Sequence, residues 1–205
     1  MPELPGGVSA PMAELGLPPE ALSLQGRFLD LCREVQVLDK RKQWVSLDRL
    51  WWEVEHRTHF AALTTEYLRL LLGSRPPETT VIVCPDTISS SFGVTPAVFI
   101  AAHALGCPVA VWQEVGDLAG HRPAMIGTSR RRLDCLVVQD VIRHGITILK
   151  MLNALAHREW SLVAYACFVL NTWDAKRLDG ARAKYKALAG CELHIQYLAT
   201  ADALA

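Results

Sequence analysis

The sequence predicts an α/β protein: a parallel sheet with helices on both faces. Three observations carry that reading. From residue 80 onward, short apolar runs alternate with segments of helical spacing. The runs are continuously apolar, as strands covered on both faces are. Helix punctuation falls between them, with Pro96 at the start of one helical segment and Gly106 and Gly190 just past the ends of two.

In chain order, residues 1–20 are rich in Pro and Gly and read as a flexible arm, leaving 21–205 as a single domain. Helical spacing starts near Ala21, with Leu24, Phe28, Leu31 and Leu38 as apolar positions. Residues 44–47 suit a short strand. Phe60, Leu63, Tyr67, Leu68 and Leu71 mark a helix that Gly73 closes. Residues 80–84 read as a strand, and 95–105 as a helix with Thr95 as its N-cap. Strands follow at 109–112 and 135–138, then a helix over 147–158, a strand within 161–170, a helix over 175–189 and a last extended segment over 192–198. In such sheets ligands sit beyond the carboxyl ends of the strands.

The 205 residues suffice for one large core. Lys+Arg and Asp+Glu both number 21, and this balance argues against a nucleic-acid partner. The six cysteines form no C-x-x-C pair, and Cys84, Cys135 and Cys167 lie in strand-like runs. Thiols used as core residues suit a reducing cytoplasm. No apolar stretch reaches the roughly 18 residues of a spanning helix, so no membrane partner is expected.

The most informative stretch is 135–147, CLVVQDVIRHGIT. Four apolar residues lead to Gln139-Asp140, then Arg143-His144-Gly145-Ile146-Thr147, then a helix. That order delivers a carboxylate to the end of a strand and a Gly and a hydroxyl to a helix N-terminus, where N–H groups favour an anion. It resembles the ribose-phosphate signature of type I phosphoribosyltransferases, and from residue 79 to 204 the order and spacing are most similar to orotate phosphoribosyltransferase. The resemblance implies that family's sheet fold with a small cap from the termini. It implies a ribose-phosphate or nucleotide ligand, with 5-phosphoribosyl 1-pyrophosphate (PRPP) as donor, Mg²⁺ accompanying PRPP, and a homodimer. Carried over by position, Asp140 is the catalytic candidate. Gln139, Arg143, His144, Gly145, Ile146 and Thr147 line the ribose 5-phosphate, with Asp86 and Thr87 in the pyrophosphate loop and Arg122 as the first cation of the mobile loop.

The chain departs from that pattern at several points. Gln139 replaces the first acid of the acidic pair. The family's glycine-bearing pyrophosphate loop reads Asp86-Thr87-Ile88-Ser89-Ser90-Ser91, and its Arg-Lys-Glu reads Trp112-Gln113-Glu114. A carboxylate at Asp86 would repel pyrophosphate, and missing cations remove several kcal/mol of transition-state stabilisation. The expectation is therefore a phosphoribosyltransferase-like protein acting on PRPP or a related ribose-phosphate substrate, with inefficient orotate turnover. Its rivals are a nucleotide or sugar-phosphate binder without catalysis, and a partner subunit that keeps only the fold.

Each candidate has a plainer reading. Asp140 either faces a ligand or caps a turn, and Gln139 either bonds a ribose hydroxyl or is a neutral surface residue. Arg143 and His144 meet a phosphate or face solvent. Asp86 is a general base or a loop cap. His56 and His59 share a helical spacing but lack an evident third metal ligand. Trp51-Trp52 suit packing or an interface.

Overall fold

The computed structural model describes residues 19–39, 44–86, 94–113, 124–127 and 132–205. The N-terminal elements are α1 (Pro19–Glu34), β1 (Leu38–Asp39), β2 (Trp44–Val45), α2 (Asp48–Trp52) and α3 (Val54–Leu72). The sheet segments and their helices follow as β3 (Thr80–Asp86), α4 (Val94–Ala104), β4 (Val109–Gln113), β5 (Ala124–Gly127), β6 (Asp134–Ile142), α5 (Ile146–His157), β7 (Ser161–Leu170), α6 (Ala175–Ala189) and β8 (Ile195–Thr200). The main sheet has the order β5-β4-β3-β6-β7-β8. β3, β4, β6, β7 and β8 pair in parallel, and β5 lies antiparallel to β4 at the edge.

Side-chain alternation divides the core between the two faces of the sheet. Ile82, Leu136, Ala164 and Phe168 join one cluster with residues of α1, α3 and α4. Val81, Val83, Val137 and Tyr165 join the other with Ile148, Met151, Leu178 and Tyr185. Phe168 is the hub of the first cluster, with Phe28, Phe60 and Tyr67 rings 5.9, 5.4 and 5.4 Å from its own. Tyr67 also donates from its buried hydroxyl to the Cys167 carbonyl at 2.8 Å, pinning α3 to β7. The terminal elements meet where α1 crosses β8. There Gln25 donates to the Leu198 carbonyl at 2.8 Å, and Arg33 to the Ala203 carbonyl at 3.2 Å.

The structure adjusts several boundaries. The residues read as the helix from Thr95 begin one residue earlier at Val94, so Thr95 lies inside the first turn and Pro96 is tolerated there because first-turn N–H groups lack helical partners. The last strand starts later and runs further than 192–198, over Ile195–Thr200. The strand read as 135–138 continues to Ile142, which matters for the site.

Candidate functional site

The candidate site lies where the sheet parts. The ladder between β3 and β6 ends at Val83↔Val137. Beyond it β3 stays with β4 as far as Asp86↔Gln113, and β6 stays with β7 as far as Ile142↔Leu170. The connections also diverge there: α4 leads outward to β4 on one side, and α5 leads to β7 on the other. A parallel sheet opens a crevice at such a switch point, at the carboxyl ends of its strands.

Asp140 stands on β6 three residues past the last β3 pair, and is partly buried. The polar pair Gln139-Asp140 does not end the strand, because β7 continues to supply backbone partners on its other edge. The regular alternation breaks here: Val141 packs with the first cluster and Ile142 with the second, while on β7 both Phe168 and Val169 join the first. The charge of Asp140 reaches across the parting. Burial first, and Asp140 second, push the Cys84 thiol up to about 12. Burial and, among smaller influences, the same carboxylate suppress the ionisation of Cys167 and Tyr165 on β7.

Gln139 is buried rather than a surface residue, at 9% exposure. Its Oε1 accepts the Tyr165 hydroxyl at 2.7 Å. The nearby Thr147 hydroxyl favours ionisation of the phenol, against the larger effect of burial. One tyrosine on β7 thus fixes the Gln139 side chain near the end of β6. Tyr165 is 1% exposed, so removing this hydroxyl strands the Gln139 carbonyl at a cost of about 1–3 kcal/mol.

The loop between them places its residues differently. Arg143 is exposed, and Ile146 is the exposed first residue of α5. His144 turns towards α6: its Nε2 lies 3.2 Å from Asp174 Oδ2 yet is out of line for a hydrogen bond, leaving that buried nitrogen with no hydrogen-bond partner. Asp174 also meets Arg177 Nε at 3.3 Å. Gly145 has φ 65° and is the N-cap of the 12-residue α5. A Cβ there would stand 3.0 Å from Leu178 Cδ1 and 3.3 Å from Ala181 Cβ. The glycine is required by the backbone and by the close approach of α6, independently of any ligand.

The loop after β7 is clasped to the C-terminal turn. Asn171 Oδ1 accepts the Trp173 N–H at 2.9 Å, Trp173 Nε1 donates to Asp202 at 3.0 Å, and Thr172 also donates to Asp202. Sequence reasoning missed Tyr165, Asp174 and Asp202. Only Tyr165 carried a signal, as a tyrosine within an apolar strand run, where a buried phenol needs a partner. Trp112, on the β4 end, is fully buried, and its Nε1 has no hydrogen-bond partner. The backbone of Asp86 ends β3 beside Gln113. Thr87 and Arg122 lie outside the described residues, as does the loop 115–122.

The described side chains do not build an all-protein metal cage. No three of His, Cys, Asp and Glu stand together among them. At the acidic-pair position Gln139 is neutral, and its one metal-ligating atom accepts Tyr165. His56 pairs with Glu53 at 3.6 Å and gathers no metal cluster with His59. Among the described residues no helix is long and apolar enough to cross a membrane.

No protein-family model and no curated protein matches the sequence. Solved structures do match the fold. Orotate phosphoribosyltransferase from Mycobacterium tuberculosis in complex with PRPP aligns with a TM-score of 0.58 at 18% identity, over 88% of this chain and 98% of that one. Orotate phosphoribosyltransferase from Aeropyrum pernix gives 0.64 at 13%, over 86% and 95%. Adenine phosphoribosyltransferase from Leishmania donovani gives 0.58 at 14%, over 87% and 81%. The chain has the type I phosphoribosyltransferase fold.

Proposed function

We propose that this protein binds a ribose 5-phosphate-bearing ligand in the crevice between β3 and β6. The observation that supports it best is the parting of the two strands beyond Val83↔Val137, with Asp140 on one lip and the N-terminus of α5 following it. The ribose hydroxyls would meet Asp140 and Gln139, and the phosphate would meet the N–H groups at Gly145, Ile146 and Thr147, with Arg143 beside them. That one of the similar structures holds PRPP supports the same ligand class. Mg²⁺ enters this reading only as a companion of PRPP. A cytoplasmic homodimer whose single domain spans 21–205 belongs to the same proposal.

The fully buried Trp112 and the neutral Gln113 favour a second reading, in which the ligand is bound without efficient transfer. Expelling pyrophosphate builds charge that a neutral β4 end does not stabilise. Thermal melting with ribose 5-phosphate, a nucleoside monophosphate and PRPP, with and without Mg²⁺, tests binding. Ligand at 100 times its Kd adds about 2.7 kcal/mol, a rise of roughly 5–10 °C for a chain of this size. No shift with any of the three would leave only a partner subunit that retains the fold. Orotidine monophosphate formation from orotate, PRPP and Mg²⁺ should be absent or very slow; turnover near 1–10 s⁻¹, normal for an enzyme, would refute the second reading.

A further inference from the structure

The inference rests on the binding reading above and concerns how the crevice recognises the sugar. The Tyr165 hydroxyl has a single proton. It is donated to Gln139 Oε1 at 2.7 Å. That bond fixes the amide with its carbonyl towards the β7 tyrosine. The opposite end of that amide carries two N–H donors and no acceptor. A carboxylate in this position would do the reverse: accept from ligand hydroxyls and attract a cation. The tyrosine is 1% exposed and sits in a parallel strand paired on both edges, so the amide orientation is set from the rigid centre of the sheet.

We propose that Tyr165 is a positioning residue that makes Gln139 a hydrogen-bond donor to a ribose oxygen, so that the crevice takes a sugar monophosphate without a divalent cation. The ligand class is a pentose 5-phosphate or the corresponding part of a nucleoside monophosphate. The inorganic phosphate contact, made at the α5 N-terminus, is independent of this amide.

Calorimetric titration of the full chain with ribose 5-phosphate and with inorganic phosphate, in EDTA and in MgCl₂, tests the proposal. Wild-type affinity for ribose 5-phosphate should be the same in both buffers within about twofold, well under the tenfold that 1.4 kcal/mol represents. Tyr165→Phe should weaken ribose 5-phosphate about tenfold, the equivalent of one lost hydrogen bond, and leave inorganic phosphate unchanged. A merely structural role would weaken both ligands together or neither, and either pattern overturns the proposal. Gln139→Glu keeps the size of the side chain and should make ribose 5-phosphate binding depend on Mg²⁺; it decides alone if Tyr165→Phe does not fold. A wild-type protein that binds ribose 5-phosphate only with Mg²⁺, or a Gln139→Glu variant indifferent to it, overturns the inference while sparing the binding reading. A wild type that binds neither probe removes the binding reading itself.

Discussion

Replacing Gly145 by alanine adds one methyl group at the hinge between β6 and α5, and the structure sets its cost. The residue has φ 65°, a left-handed conformation that an L-residue with a Cβ adopts at about 1–2 kcal/mol. The new Cβ would meet Leu178 Cδ1 at 3.0 Å and Ala181 Cβ at 3.3 Å. Leu178 and Ala181 are 4% and 3% exposed, so neither has open space to retreat into, and such overpacking costs typically 1–3 kcal/mol. Reduced freedom of the unfolded chain returns about 0.4–1 kcal/mol. The expected net loss is about 1–5 kcal/mol, or a fall of roughly 2–20 °C in Tm for a domain of this length. Urea unfolding should show a lower midpoint at unchanged slope. Gly180→Ala is the control: it lies within α6, has no heavy atom within 4 Å of its Cβ position, and should gain about 0.5–1 kcal/mol. A Gly145→Ala loss under about 0.5 kcal/mol, below the range of either term, would refute the packing argument and return Gly145 to a purely ligand-directed role.

The buried thiols predict alkaline lability, and the sign is fixed. Cys32, Cys84, Cys135 and Cys167 are held protonated above their ordinary range chiefly by burial, Cys84 up to about 12. Their stabilisation is complete below the unfolded thiol value of about 8.5 and declines as pH rises towards the folded values, by about 2 kcal/mol each at pH ~10. Four such losses, about 8 kcal/mol, equal a typical total stability of 5–15 kcal/mol. A urea midpoint that stays constant between pH ~8 and ~10 would contradict this. The homodimer is checked by light scattering, where about twice the 22.7 kDa chain mass is expected. Trp52 and Val54, 62% and 73% exposed, are the described residues best placed to be covered; a monomeric mass at high concentration rejects the pairing.

The fold was legible because its strands obey local rules. Continuous apolar runs located β3, β4, β6 and β7, and Gly190, with φ 74°, closes α6 where its position implied. What escaped was short or irregular. β5 is a four-residue antiparallel edge strand, and α2 is a five-residue helix, too brief for any periodicity to register. The end of β6 was misplaced for a different reason. Gln139 and Asp140 are polar, and polar residues after an apolar run read as a turn. Here they stay in the strand because β7 satisfies the backbone on one edge while β3 has left the other.

The site was less legible, because its partners are distant in sequence and the signal at its centre has two physical origins. Tyr165 meets Gln139 across 26 positions, and His144 meets Asp174 through the packing of α5 against α6. No spacing rule reaches such pairs. A Gly followed by a hydroxyl two residues on suits an anion-binding turn. It equally suits a left-handed N-cap pressed against a neighbouring helix, the contact that Leu178 and Ala181 make here. Gly145 therefore cannot separate the two origins. Gln139 is a different case, because the same close packing would be met as well by an apolar side chain. Phenol and amide instead form a hydrogen-bonded pair, with Gln139 next to Asp140 in the chain at the place where the sheet opens. Buried polar groups are costly unless matched, and the Tyr165–Gln139 bond matches both of its partners.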